Sequence, residues 1–233
     1  MKNNPTIVRS LRGFVGPNYV TEVNGRNAVI LNNSLNTSIE GNWEVKGLVR
    51  NETQSNVGII TVEAQLLSSD GTGLDTVITD SMVKNIRPGE PVPFVIKSII
   101  SASQVSEVKW ITGTKNIGES KNISREANIM VNYELPFGQA NYMGIPRDDA
   151  PYPYVLATSF DNLSIGIKKA QIVAAWLDET GKVVWIETVS LDPAFSNGVP
   201  QDGSAVFQNI IVKDSEIAPM LNQIPYTLWV VGK

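Results

Sequence analysis

The residues that most enzymes use for acid–base and nucleophilic chemistry are missing from this sequence. None of its 233 residues is a histidine or a cysteine. Without histidine, the chain lacks the commonest general base and the commonest metal ligand. Without cysteine, it can form neither disulfides nor thiolate metal sites. The sequence therefore predicts no catalytic residues, no metal site and no cofactor.

Two short motifs have the residue types of catalytic or phosphate-binding sequences but not their context. Ser81 and Lys84 match the Ser-x-x-Lys spacing of penicillin-interacting enzymes, yet on a strand positions i and i+3 point to opposite faces. Thr180-Gly181-Lys182 has Trp176 where a phosphate loop needs its first glycine. We interpret the first motif as a polar pair on an edge strand and the second as a hairpin turn.

Carboxylates are the remaining candidates for catalysis, because paired carboxylates work without histidine. The candidates are Asp148, Asp149, Asp178, Glu179, Asp192 and Asp202. Nothing in their spacing predicts that any two converge, and the chain has no calcium loop of the EF-hand type. We interpret them as solvated loop charges, and an enzyme with two converging carboxylates stays an alternative.

An irregular segment rich in proline, tyrosine and aspartate predicts the contact surface. It spans residues 136–154 and contains Phe137, Tyr142, Tyr152 and Tyr154. Aromatic side chains on loops stack on sugars or fill a pocket of a partner. We predict that these four residues bind a ligand, and the alternative is that they pack between two domains.

The elements that position this segment are predicted to be short strands. Trp43, Val45 and Gly47 alternate with polar neighbours, which is the pattern of a half-buried strand. Pro91 and Pro93 cannot donate ladder hydrogen bonds, so their strand is expected at a sheet edge. Residues 214–221 have apolar residues at helical spacing, and residues 101–108 are a weaker candidate for a helix. Frequent turn signals between short strands are typical of a β-sandwich.

The order of these elements recurs in the C-terminal half. The turn at Asp70-Gly71 returns at Thr180-Gly181, and the closing Trp110 returns at Trp229. We predict an all-β protein with few or no helices, built as two tandem immunoglobulin-like β-sandwich domains. The expected boundaries are 1–42 for an N-terminal extension with a possible first strand, 43–118 for the first sandwich, 119–153 for a linker with the leading strand of the second unit, and 154–233 for the second sandwich.

The first unit also resembles a known family. It contains Arg50-Asn51, Ala64-Gln65-Leu66-Leu67, Asp70-Gly71, Ile86-Arg87-Pro88-Gly89-Glu90 and Pro93-Phe94. In these features it resembles the FxLYD-type domains, small immunoglobulin-like modules of exported bacterial and archaeal proteins. The name-giving motif is altered in both units, to Leu66-Leu67-Ser68 and Trp176-Leu177-Asp178. The resemblance implies an envelope setting and no catalysis.

Composition limits the partners and the compartment. The net charge is -4 and no basic run occurs, so a nucleic-acid partner is not expected. No segment has the length and apolar content of a membrane span. Residues 1–5 lack a signal-peptide core. We expect an extracellular or cell-surface protein whose export signal has been removed, with a cytoplasmic location as the alternative.

Together these observations predict a non-catalytic module of the cell envelope or extracellular space, which binds or spaces other surface components. The partner is expected to be an envelope protein or a polysaccharide. The alternatives are a carbohydrate-binding module and a structural subunit of a surface or particle assembly. Asn-x-Ser/Thr glycosylation sequons begin at Asn32, Asn36, Asn51, Asn122 and Asn162.

Overall fold

The computed structural model describes residues 23–24, 27–37, 41–115, 128–161, 171–190 and 206–231, and it confirms an all-β fold. The strands are β1 (Val23–Asn24), β2 (Ala28–Thr37), β3 (Asn42–Asn51), β4 (Ile59–Leu67), β5 (Gly73–Asp80), β6 (Pro91–Ser101), β7 (Glu107–Lys115), β8 (Asn128–Leu135), β9 (Asn141–Tyr142), β10 (Ile145–Pro146), β11 (Tyr154–Asp161), β12 (Gln171–Leu177), β13 (Val183–Ser190), β14 (Val206–Val212) and β15 (Tyr226–Val231).

Within the described residues, helical structure is limited to a 3-10 turn at Ala102–Gln104 and the helix α1 at Ala218–Leu221. The helix lies inside the stretch whose apolar spacing predicts one, and it is shorter than that stretch. Within the described residues, no helix combines the length and the apolar character needed to cross a bilayer. The Cα positions group the chain into two compact units.

The first unit contains two sheets, with strand orders β1-β7-β4-β5 and β2-β3-β6. Strand β1 runs parallel to β7, and the other described ladders of this unit are antiparallel. Strand β6 lies at an edge and pairs with β3 on one side, which confirms the position predicted from Pro91 and Pro93. The two sheets face each other across an aromatic core.

Three aromatic side chains fill that core. The Trp110 ring of β7 lies 6.1 Å from Trp43 of β3 and 6.2 Å from Phe94 of β6, measured between ring centroids. All three residues have no exposed surface. Because Trp110 belongs to one sheet and its two neighbours belong to the other, the contact closes the first unit as a sandwich.

The second unit repeats this arrangement. Its sheets have the orders β14-β11-β8 and β13-β12-β15, and β9 pairs with β10 in a separate two-stranded ribbon. Strands β8 and β11 to β15 therefore correspond, in chain order, to strands β2 to β7. The recurrence of the strand order is confirmed, whereas the number of domains and their boundaries stay predictions.

One expectation about burial is wrong. The alternation along β3 predicts a half-buried strand, but Glu44 and Lys46 are as inaccessible as their apolar neighbours, with 7% of each residue exposed. Their side chains form an ion pair, and the Lys97 ammonium lies 2.9 Å from the second Glu44 oxygen. Period-two alternation shows which residues are polar, but it does not show which residues are buried. A charged side chain can be buried when it has an ion-pair partner.

Candidate functional site

In the Ser-x-x-Lys motif, the serine has a structural role. The Ser81 hydroxyl donates to the carbonyl oxygen of Val83 at 2.9 Å and accepts a hydrogen bond from the Ile60 amide at 3.1 Å. Only 4% of Ser81 is exposed. The hydroxyl therefore ties the end of β5 to the start of β4.

The candidate carboxylates serve turns and loops. Asp178 accepts hydrogen bonds from the amides of Thr180 and Lys182 at 2.8 and 2.9 Å, which closes the hairpin between β12 and β13 as predicted. Asp149 binds an arginine two residues before it. Asp192 and Asp202 lie outside the described residues. Within the described part of the chain, no three acidic side chains gather in a way that could hold a metal ion.

The segment that links β8 to β11 folds into a small, ordered ribbon. Tyr142 pairs with Ile145 across β9 and β10, and the turn between them consists of Met143 and Gly144. Both turn residues have positive φ, 48° and 82°, as a two-residue hairpin of type I′ requires. The ribbon tip, defined as Met143 and Ile145, carries two of the most exposed large apolar side chains of the described chain.

Arg147 holds this ribbon and its flanks together. Its guanidinium forms a two-pronged contact with Asp149, with distances of 2.9 Å from Nε to Oδ1 and 2.6 Å from Nη2 to Oδ2. It also donates to the carbonyl oxygens of Pro136 at 3.0 Å, Pro153 at 2.9 Å and Gln139 at 3.4 Å. The side chain is only 5% exposed. A single planar group thus joins both ends of the segment to its middle.

Three of the four predicted ligand-binding aromatics lie in or beside this ribbon, and all three are half-buried. The Phe137 amide donates to Asn222 at 2.9 Å, and the Tyr152 ring lies under the Arg147 guanidinium at 5.7 Å. Tyr142 packs against Tyr133 of β8, with ring centroids 5.9 Å apart and planes tilted by 34°. Tyr142 and Tyr152 therefore each have a packing partner in or beside the ribbon.

The fourth predicted aromatic, Tyr154, belongs to the core. It has no exposed surface, and its ring meets Trp176 edge-on at 5.8 Å. Burial raises the pKa of its hydroxyl far above the ordinary value, and the nearby Glu134 carboxylate raises that pKa further. The indole nitrogen of Trp176 also donates to the Tyr154 oxygen at 3.4 Å. Tyr154 holds the two sheets of the second unit together.

The sequence reading missed an apolar surface on the sheet β14-β11-β8. Residues paired across adjacent strands share a face, and the register places Phe207 beside Ser159 and Ile211 beside Val155. On the other side, Met130 pairs with Ser159 and Tyr133 with Ala157. We call this surface the apolar face. It consists of Met130, Tyr133, Val155, Ala157, Ser159, Phe207 and Ile211, and the exposed Asn209 lies beside Ala157 on the same face.

Exposure is uneven across the apolar face. The central residues Val155, Ala157 and Ser159 are small and at most 4% exposed, whereas the four flanking side chains are between 42% and 68% exposed. The signal in the sequence was the pair of apolar doublets Val206-Phe207 and Ile210-Ile211 on one strand. Such doublets place apolar residues on both faces of a strand, not only on the core face.

The sequence matches no protein-family model, and a search of curated proteins gives no significant match.

Proposed function

We propose that the protein is a non-catalytic β-sandwich module of the cell envelope or extracellular space, which binds or spaces other components there. The observation that carries this proposal is the ribbon between β8 and β11. It is an irregular segment fixed by one buried arginine, and it presents apolar side chains at its tip. Rigid presentation lowers the entropy lost on binding, which is the usual reason for such an arrangement. Membership of the FxLYD-type family is part of the same proposal.

The chemistry of the ribbon tip favours a protein partner over a polysaccharide. Sugar-binding platforms use exposed aromatic rings together with polar groups that bind hydroxyls, whereas Met143 and Ile145 offer only apolar surface. Tyr142 is half-buried and tilted against Tyr133. Methionine and aromatic residues are enriched in protein–protein interfaces, and methionine adapts to irregular surfaces. We therefore expect the occupant to be an envelope protein with an apolar pocket.

The test is retention of envelope components by immobilised protein, with the envelope separated into protein and polysaccharide fractions. The variant carries Met143→Asn and Ile145→Ser, because asparagine tolerates the positive φ of the turn. The matched control is Ile78→Ser, an exposed isoleucine on the edge strand β5 of the first unit. We expect saturable retention of a protein that the double variant loses and the control keeps.

Three outcomes would count against the proposal. Retention that is unchanged in the double variant would exclude the ribbon tip as the contact. Retention of polysaccharide, lost on Tyr142→Ala, would identify a carbohydrate-binding module instead. No saturable retention of either fraction would leave the binding function without support.

A further inference from the structure

We propose that Met143 is the residue that peroxides oxidise first in the described part of this chain, and that the resulting sulfoxide weakens the binding of a partner by the ribbon tip. The second half of this inference rests on the proposed function, whereas the first half depends only on the chemistry and the exposure of methionine. It begins from composition. The chain has five methionines and no cysteine, so thioethers are its only sulfur groups.

The reaction is a two-electron oxidation of the thioether by a hydroperoxide. One oxygen atom passes from the peroxide to the sulfur, so that an S–O bond forms as the O–O bond breaks, and the reduced peroxide leaves as water or an alcohol. Thiolates usually compete for the oxidant, but a chain without cysteine has no such competitor. Methionine sulfoxide reductases reverse the change, each acting on one sulfoxide epimer, while a dithiol is oxidised to a disulfide and water is released.

The methionines that the structure describes differ widely in exposure. Met143 is 85% exposed and Met130 is 59% exposed, whereas Met82 is half-buried and Met220 is only 6% exposed. Because oxidation requires access of the peroxide to the sulfur, Met143 should react first and Met130 second. Met220 is protected until the second unit opens locally, so it should react last.

The position of Met143 makes its oxidation a change at the proposed contact surface. Met143 and Gly144 form the two-residue turn between β9 and β10. Arg147 holds the ribbon through the backbone carbonyls of Pro136 and Pro153, neither of which belongs to that turn. Oxidation of the Met143 sulfur should therefore leave the ribbon folded and alter only the chemistry of its tip.

A sulfoxide should weaken binding because it changes an apolar group into a polar one. Its oxygen is a hydrogen-bond acceptor, and on entering an apolar pocket it would lose water without gaining a donor. The other residue of the ribbon tip, Ile145, is 67% exposed and is not oxidised, so part of the apolar contact stays. We expect the affinity for the partner to fall at least ~10-fold.

The first experiment follows the oxidation of the whole chain in hydrogen peroxide by peptide mass spectrometry. We expect Met143 to be oxidised at least ~10-fold faster than Met220, with Met130 between them. In urea the rates should become alike, which controls for differences in local sequence. Equal rates for Met143 and Met220 in the folded protein, or faster oxidation of Met130 than of Met143, would overturn the assignment of Met143.

The second experiment measures retention of the envelope protein by immobilised chain before and after peroxide treatment. Treated wild-type protein and treated Met130→Leu should bind at least ~10-fold more weakly than before, and the reductases should restore both. Treated Met143→Leu should keep its affinity, because leucine is apolar and similar in volume but has no sulfur. Retention by untreated Met143→Leu checks that the turn accepts leucine.

The outcomes separate this inference from the proposed function. Selective oxidation of Met143 with unchanged retention would overturn the effect on binding. Equal loss of retention in treated Met143→Leu would assign that effect to another residue and overturn it as well. If untreated protein retains no envelope protein, the proposed function and the effect on binding fail together, and the order of oxidation rates alone decides whether Met143 is the oxidation site.

Discussion

Replacing Arg147 by lysine is expected to release the ribbon between β8 and β11 while leaving both sandwiches folded. Lysine keeps the positive charge, but its single ammonium cannot reproduce a planar fork that reaches one carboxylate and three carbonyl oxygens. We estimate that at least two of these bonds are lost. Because a hydrogen bond from a charged group contributes about 1.5 kcal/mol or more, the ribbon should lose about 3 kcal/mol of local stability.

Native-state hydrogen exchange measures this loss directly. The Gly138 amide donates to the Tyr152 carbonyl at 2.9 Å, and the Arg147 amide donates to the Ala140 carbonyl at 2.8 Å. Both bonds close the ribbon, so both amides should exchange roughly 100-fold faster in Arg147→Lys if they exchange by local opening. Amides in the ladder between β4 and β7 should exchange at their wild-type rates.

The matched control is Arg50→Lys. Arg50 also binds a carboxylate two residues later, Glu52, but the Arg50 side chain is 40% exposed where that of Arg147 is 5% exposed, so the pair should contribute well under about 1 kcal/mol. A second readout is the pKa of Asp149, which the hydrogen bond from Arg147 holds below its ordinary value. In Arg147→Lys that pKa should move upward. Exchange at Gly138 within about threefold of wild type, or equal acceleration throughout the sheets, would show that Arg147 does not organise the ribbon.

Three further predictions concern the first unit. Glu44→Gln should destabilise the protein by about 3 kcal/mol at neutral pH, because it removes the carboxylate from a buried ion pair. Burial alone raises the pKa of Glu44, but Lys46 and Lys97 outweigh burial and hold that pKa below its ordinary value of 4.5. The stabilisation should therefore be present above pH 4.5 and fade as the pH falls through the lowered pKa, so acid melts of the two proteins should converge. The hydrogen bond from Ser68 and the Thr72 amide lower the pKa of Asp70 to about 2, and carboxyl NMR titration of Ser68→Ala should find a higher value. Asn51 has no exposed surface and uses all its hydrogen-bonding capacity, so peptide mass spectrometry after expression in a glycosylating host should find this sequon unmodified.

Local patterns in the sequence predicted the strands, the hairpins and the edge. The Asp70-Gly71 turn joins β4 to β5, and the Thr180-Gly181 turn joins the equivalent strands β12 and β13. Glycine indicates both turns in the sequence because Gly71 and Gly181 have positive φ. Proline at 91 and 93 indicates an edge, because an edge strand can do without those amides. Strands, hairpin turns and the edge strand all depend on residues that are close in the sequence, so local patterns predict them.

Long-range contacts were not predictable in the same way. Strand β1 pairs in parallel with β7 through Val23 and Trp110, and nothing near Val23 signals a partner so distant in the chain. The role of Arg147 was missed for a similar reason. Its acceptors are the backbone carbonyls of Pro136, Gln139 and Pro153. Every residue has a backbone carbonyl, so the sequence does not show which carbonyls will accept a hydrogen bond. The only local hint was the acidic residue two positions after the arginine.

The predicted site was partly dispersed by the fold. Phe137, Tyr142 and Tyr152 lie in or beside the ribbon, each with a different partner, whereas Tyr154 enters the core because β11 begins there and its alternation turns the ring inward. A tyrosine at the first position of a strand looks like a loop residue in the sequence. Its direction depends on where the strand starts, and the boundary of an element is the least predictable part of it.

The apolar face of the second unit leaves several large side chains in water. A side chain that stays in water both before and after folding contributes almost nothing to the hydrophobic term that stabilises a fold. Met130 and Phe207 are in that position, since more than half of each remains exposed. Single exposed apolar residues are ordinary, but several on one uncharged sheet face are not. These side chains therefore contribute little to the stability of the second unit itself.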